Sequence, residues 1–175
     1  MRVISGALGG RIFQSPKGHR THPMSEKARG AIFNVLGDIA GLTFFDAYAG
    51  SGAISIEAMS RGAKNGIAVD SDMTAWKTIV ANFEDLGIGK TVRAVRAGVT
   101  TWSGENAELQ FDLVFADPPY DDIKLEALAT LVQHVKNDGI FVLSWPGGED
   151  IPSFEQLEQV AHKPLGDIQL VFYRR

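Results

Sequence analysis

Cysteine is absent from the sequence, and that one absence removes several chemistries. A disulfide framework, a zinc site with thiolate ligands and a cysteine nucleophile are all excluded. Histidine is scarce, with four residues, and His19, His22, His134 and His162 show no metal-ligand spacing, so no metal is expected. His134, at the end of a helical stretch, reads as a surface residue that suits the helix dipole. No segment approaches the roughly 18 consecutive apolar residues that span a bilayer. Met1–Arg20, with Gly and Arg scattered through it, lacks the apolar centre of a secretory signal. The expectation is a soluble, cytoplasmic, monomeric protein without a membrane partner. Positive charge is in short supply as well. The chain holds 17 Lys and Arg against 21 Asp and Glu, a net of −4, and by itself that gives no bulk attraction to a polyanion.

The average hides a division. Residues 1–36 carry Arg2, Arg11, Lys17, Arg20, Lys27 and Arg29 against Glu26 alone, a net of +5, while residues 37–175 are left with a net of −9. A length of 175 residues suits one domain with a small appendage, and the charge split places the boundary near residue 36. In the basic head, Arg2–Ser5 and Arg11–Gln14 read as a hairpin around Gly6, Gly9 and Gly10. Ser15–Pro23 reads as a loop, and Ser25 as the N-cap of a helix to about Leu36 with Ala28, Ala31, Ile32, Val35 and Leu36 as its apolar stripe. From Leu42 short apolar runs alternate with helical patterns. Strands are expected at Thr43–Ala47, Gly66–Val69, Val92–Val95, Leu113–Ala116 and Ile140–Ser144. Helices are expected near Gly52–Ser60, Met73–Leu86 and Ile123–Val135, and a closing antiparallel hairpin at Glu158–Lys163 and Ile168–Tyr173. The alternation implies an α/β fold, a doubly wound, mostly parallel sheet with helices on both faces.

Asp46-Ala47-Tyr48-Ala49-Gly50-Ser51-Gly52-Ala53 follows the first strand and opens a helix. Gly50 and Gly52 permit a sharp turn and close approach of a ligand, and the helix N-terminus beyond them offers free N–H groups. A dinucleotide fingerprint needs a third glycine where Ser55 stands, and no Walker lysine follows. Asp46 discriminates further. A carboxylate there repels a pyrophosphate but suits an ammonium, and S-adenosylmethionine carries an ammonium and no phosphate. Asp70, at the end of the second strand, is placed to take two ribose hydroxyls.

Asp117-Pro118-Pro119-Tyr120 follows an apolar strand and so lies at the carboxyl edge of the sheet. Two prolines fix φ twice and remove both backbone donors. An acceptor-only turn suits a group that donates two hydrogens, such as the exocyclic amine of a nucleobase. Asp117 and the Pro118 carbonyl could hold both hydrogens and aim the nitrogen lone pair at an electrophilic methyl, while Tyr120 offers a face on which an extruded base can stack.

Taken together, these motifs resemble those of the class I S-adenosylmethionine-dependent methyltransferases, and more narrowly those of the bacterial 16S ribosomal RNA guanine-N2 methyltransferases. The narrower resemblance rests on Arg2-Val3-Ile4-Ser5-Gly6 with Gly10-Arg11, on Pro23-Met24-Ser25-Glu26-Lys27-Ala28-Arg29, and on Glu57-Ala58-Met59-Ser60-Arg61-Gly62-Ala63. It implies a seven-stranded sheet with a terminal antiparallel strand and a small N-terminal extension. It also implies S-adenosylmethionine held by Asp46, Tyr48, Ala49, Gly50, Ser51, Gly52, Asp70 and Gly98, and a guanine held at Asp117, Pro118, Pro119 and Tyr120. RNA contacts then fall to Arg2, Arg11, Lys17, Arg20, Ser25 and Arg29, with 16S ribosomal RNA or a 30S assembly intermediate as partner. Two departures stand out. His22 occupies a position where the family has arginine, with Arg20 nearby, and Ala97-Gly98 replaces a polar residue, leaving adenine recognition to backbone groups. Glu57 is expected as a buried partner of a backbone donor. Absence of cysteine excludes the C5-pyrimidine route. An adenine-N6 methyltransferase on DNA or RNA is the alternative, because the proline turn serves any exocyclic amine. Ser55 and Asp46 speak against a nicotinamide enzyme.

Overall fold

The computed structural model describes residues 1–16 and 24–175; Lys17, Arg20, His19 and His22, together with the RNA contacts expected of Lys17 and Arg20, lie outside the described residues. Among the described residues, five α-helices, α1 (Glu26–Leu36), α2 (Ala53–Ser60), α3 (Met73–Asp85), α4 (Val99–Glu105) and α5 (Leu125–Leu131), alternate with strands β1 (Thr43–Asp46), β2 (Asn65–Asp70), β3 (Val92–Arg96), β4 (Phe111–Ala116) and β5 (Val135–Pro146). Strands β6 (Glu158–Leu165) and β7 (Ile168–Arg174) close the chain. The sheet runs β3-β2-β1-β4-β5-β7-β6. The first five strands are parallel, and β7 is antiparallel to both of its neighbours. This is the mostly parallel α/β sheet that the alternation of segments implies, with the terminal antiparallel strand that the family resemblance implies.

Side chains alternate across the pleat and so divide the core in two. Phe44, Leu113, Phe115, Val142 and Phe172 face one side with α1, α2 and α3 residues such as Ile32, Phe33, Ile56 and Ile79. Phe45, Val114, Phe141, Leu143 and Tyr173 face the other with Trp102, Leu128 and Leu131. Sequence reading does not find α4. Val99, Thr100, Thr101 and Gly104 are poor helix formers, and packing supplies what propensity lacks, since Trp102 lies 4.4 Å from the Phe45 ring. His134 is not a surface residue. It is buried, its Nδ1 is 2.7 Å from the Leu109 carbonyl oxygen, and it sits edge-on to Phe45; burial lowers its pKa.

The basic head is antiparallel as expected but regular at one bridge only, Arg2 with Ile12, flanked by Val3 N–H to Arg11 O and Phe13 N–H to Met1 O. Val3 and Phe13 join the core of the α1–α3 face. The Arg2–Gly6 and Glu57–Ala63 segments, far apart in sequence, are one interface. α2 is buried nearly all round, which leaves no polar face and forces Glu57 inside. Its carboxylate accepts from Ile4 N–H (2.9 Å), Ser5 N–H (3.1 Å) and Arg61 Nε (2.8 Å), and it pairs at 3.5 Å with Arg29 Nε. Gly6 has φ +87, and a Cβ there would lie 1.8 Å from the Ser60 carbonyl oxygen, so only glycine passes.

Arg29 is thereby corrected. The RNA contact expected of it has no exposed side chain to make it: Arg29 is fully buried, with Nη2 donating to the Arg2 carbonyl at 2.6 Å. The buried face of α1 is accordingly turned toward Arg29 and Phe33. Replacing Glu57 by alanine leaves a buried guanidinium and two backbone N–H groups without their acceptor. The expected loss is on the order of 3–5 kcal/mol, measurable as a lowered urea midpoint with unchanged slope.

Candidate active site

The chain builds β1, moves outward to β2 and β3, and crosses back to β4 beside β1. That reversal opens a crevice at the carboxyl ends of β1 and β4, where open α/β sheets place ligands. The register sets Asp46 opposite Phe115 on one side and Ala68 on the other. The glycine loop after β1 and the proline turn after β4 therefore leave the sheet side by side, with Asp70 ending β2.

Asp46 is buried, and its Oδ2 accepts from Ser55 N–H (3.2 Å) and Ser55 Oγ (2.7 Å). Ser55, legible in sequence only as a missing glycine, thus orients the carboxylate. No Lys or Arg among the described residues pairs with Asp46, Asp70 or Asp117. Burial, with the Asp117 and Asp70 charges adding to it, pushes Asp46 up to about 7. Gly50 has φ +57, and a Cβ there would meet nothing within 4 Å, so the backbone conformation requires glycine and its open side faces free space. Gly52, φ +77, answers a second need: a Cβ would lie 2.8 Å from Phe83 Cε1 of α3.

Asp70 ties the loop to β2. Its Oδ2 accepts from Gly50 N–H at 2.8 Å and its Oδ1 from Asp72 N–H at 2.9 Å, and burial raises its pKa. Each oxygen keeps a lone pair. Ala49 is buried, with its N–H on the Val69 carbonyl, and Tyr48 is half-buried. The Ser51 hydroxyl turns away from the crevice to Met1 Sδ at 3.4 Å, leaving its backbone on the loop. Gly98 is exposed and begins α4 as its N-cap, one residue past the Ala97 N–H that bonds the Asp70 carbonyl.

In the proline turn, Pro118 is buried and Pro119 exposed. The Pro119 carbonyl accepts from Asp122 N–H, whereas no donor among the described residues reaches that of Pro118. Burial pushes the Asp117 carboxyl up to about 6, and the nearby Ser144 hydroxyl opposes the shift. Tyr120 is 39% exposed, and its hydroxyl lies 2.5 Å from Ser144 Oγ.

Two polar residues of the site escape sequence reading. Ser144 reaches it only through strand register. Asn82, buried in α3, donates to the Ser51 and Gln14 carbonyls and accepts from Gln14 N–H, each at 2.9 Å, pinning the glycine loop to the N-terminal segment. An amide among the apolar positions of α3 is its only sequence signal. Of the expected RNA contacts, Arg2 and Arg11 are exposed, with Arg2 paired to Glu26 at 3.3 Å. The Ser25 hydroxyl is engaged as N-cap, accepting from Ala28 N–H at 3.1 Å. No helix of the described residues is long and apolar enough to cross a membrane, and no group of three metal-ligating side chains occurs among them.

A family model described as "Conserved hypothetical protein 95" matches residues 1–174. "Putative rRNA methyltransferase YlbH" of Bacillus subtilis (strain 168) is 36% identical over 158 residues, covering 87% of this chain and 86% of that protein. "Ribosomal RNA small subunit methyltransferase D" of Escherichia coli (strain K12) is 28% identical over 134 residues, covering 76% of this chain and 67% of that one. Among solved structures, "Putative methyltransferase yhhF from Escherichia coli" superposes with a TM-score of 0.89 at 23% identity, over 100% of this chain and 97% of that one.

Proposed function

The chain belongs to the conserved hypothetical protein 95 family, with a B. subtilis relative named as an rRNA methyltransferase, and on that premise we propose that it transfers a methyl group from S-adenosylmethionine to the exocyclic N2 amine of a guanine in 16S ribosomal RNA. The observation that carries this reading is the adjacency of the Asp46–Gly52 loop and the Asp117–Tyr120 turn at the β1/β4 reversal. A cofactor loop and an acceptor-only turn on neighbouring strands bring a methyl donor to an amine. The E. coli relative named for the small subunit supports 16S RNA, in a 30S particle or assembly intermediate, as substrate; such a substrate implies cytoplasmic action, and a monomer suffices.

The residues present fit the cofactor. Buried Asp46, without a cationic partner among the described residues and pushed up to about 7, matches an ammonium. Asp70 has lone pairs for a ribose diol, and Gly50 leaves its side open. An acidic pocket of this kind rejects the phosphates of a dinucleotide. When bound, S-adenosylmethionine supplies a methyl on positive sulfur. The chain does the rest by position. Asp117 and the Pro118 carbonyl accept the two amine hydrogens, and Tyr120 stacks the base. The nitrogen gains a methyl and sheds one proton, and a carboxylate held near 6 takes that proton more readily than an ordinary one before passing it to water.

Residues 1–36 act as the RNA-contact extension. Exposed Arg2 and Arg11 serve there with Lys17 and Arg20; the Arg2–Glu26 pair is exposed and weak, so it yields to a phosphate. Labelled methyl transfer onto 30S particles and free 16S RNA, followed by nucleoside analysis, tests the reading. N2-methylguanosine is the expected product. N6-methyladenosine would transfer the proposal to the adenine alternative, and no transfer to either substrate would overturn it.

A further inference from the structure

We propose that Asn82 is a positioning residue that couples the two substrates: through its carboxamide, a cofactor bound at the Asp46–Gly52 loop fixes the RNA-contacting head, and bound RNA fixes the loop, so that each ligand tightens the other. This inference rests on the assignment of that loop to S-adenosylmethionine and of residues 1–36 to RNA.

The sequence of α3 sets Asn82 where an apolar side chain is expected. The helix buries Ala75, Ile79, Asn82 and Phe83, and Asn82 is 1% exposed. A carboxamide in that place weakens the fold unless its polar atoms are paired. It has two N–H hydrogens to give and an oxygen that accepts, and all three are used. Nδ2 donates to the Gln14 and Ser51 carbonyls, and Oδ1 accepts from Gln14 N–H, each at 2.9 Å.

Each end of this bridge belongs to a different substrate. On the head side, antiparallel pairing is regular only at Arg2 and Ile12 and closes with Phe13 N–H on the Met1 carbonyl. Gln14 lies beyond it, and the Asn82 carboxamide meets both of its backbone groups as a neighbouring strand would. Lys17 and Arg20 follow Gln14 in the chain. On the loop side, Ser51 stands between Gly50 and Gly52, whose positive φ values make the turn. Gly50 N–H is held at 2.8 Å by Asp70 Oδ2, on the carboxylate suited to a ribose. Neither segment shifts alone without leaving a buried polar group unpaired. They move together, and the ligand that orders one leaves less freedom for the other ligand to remove. Such coupling is reciprocal.

The test is a binding cycle on the full chain at one fixed salt concentration. S-adenosylhomocysteine, which binds without reacting, is titrated with and without saturating RNA, and RNA with and without saturating S-adenosylhomocysteine. The RNA is whichever species accepts methyl in the transfer assay, free 16S RNA or 30S particles. Each ligand is expected to tighten the other by about tenfold, with the same factor in both directions. In Asn82→Ala the factor should fall below about twofold, while the affinity of either ligand alone changes less than about threefold. A merely structural role would instead weaken each ligand equally with and without the other and leave the factor intact. Should Asn82→Ala fail to fold, Gln14→Pro makes the comparison from the exposed side: it deletes the N–H that Asn82 accepts without touching α3, and it too should lower the factor. Independent or mutually weakening binding in the native chain, or a factor that survives the substitution, would overturn the role of Asn82. If neither RNA species accepts methyl, the functional reading falls and this role with it; if methyl is transferred but the factor ignores Asn82, Asn82 alone falls.

Discussion

Replacing Asp117 by alanine is expected to lower single-turnover methyl transfer by about 10³-fold or more, while calorimetric affinity for the cofactor changes little. The two effects separate because Asp117 stands after β4 and the glycine loop proposed to hold the cofactor stands after β1. Pro118 and Pro119 offer no N–H to take over, and the Pro118 carbonyl alone cannot hold both amine hydrogens. Loss through unfolding is distinguishable, because stability should move the opposite way. The folded-state pKa of Asp117 is raised, to about 6, so this group's stabilising contribution is fully present below the unfolded value of about 4 and is lost as pH rises through about 6. At pH 8 the buried charge is a liability to the fold, and Asp117→Asn should raise Tm there as it removes activity, a trade familiar at catalytic sites. An alanine variant that transfers methyl at the wild-type rate would remove Asp117 from the mechanism.

What could be read beforehand, and what could not, divides along a physical line. The glycine loop and proline turn announce themselves because they demand special backbone: Gly50 and Gly52 adopt positive φ, and consecutive prolines delete donors. The parallel sheet is legible because strands buried on both faces are runs of apolar residues. Features set by tertiary contact are not legible. Ser144 matters only because β5 pairs with β4 in one register, and a one-residue slip would turn it to the other face. Arg29 looks like one more charge in a basic head, yet it stands one helical turn before Ile32 and Phe33, on the face α1 buries. Its partner Glu57 sits in a helix with no polar side, so a buried ion pair was implied by α2 rather than by α1. His134 hides for the same reason, its ring nitrogen satisfied by a carbonyl that lies 25 residues away in sequence. The net +5 of residues 1–36 therefore overstates what the surface presents, since Arg29 neutralises an interior carboxylate instead of a phosphate.

Asp46 carries the second large effect, on affinity instead of rate. Its folded-state pKa is raised from 3.8 to about 7, by burial first and then by the Asp117 and Asp70 charges. An ammonium placed against it lowers that value, so binding and ionisation are linked. Below pH 7 the ligand must displace a proton from Asp46, and the dissociation constant of S-adenosylmethionine or S-adenosylhomocysteine should fall about fivefold between pH 6 and 7, then level off above about 7.5. Binding at pH 7 should release about half a proton, seen by calorimetry in buffers of different ionisation heat. Methylthioadenosine, which has the sulfur and ribose but no ammonium, should show neither effect. Asp46→Asn should weaken the amino-acid-bearing ligands by about 30-fold or more at pH 8 and flatten their pH dependence, while leaving methylthioadenosine affinity nearly unchanged. Stability again runs the other way: the contribution of Asp46 to the free protein is full below its unfolded pKa and lost as pH rises through about 7, so the variant should gain in Tm at pH 8. A dissociation constant that stays level from pH 6 to 8 in the native chain would mean that the ammonium does not meet Asp46.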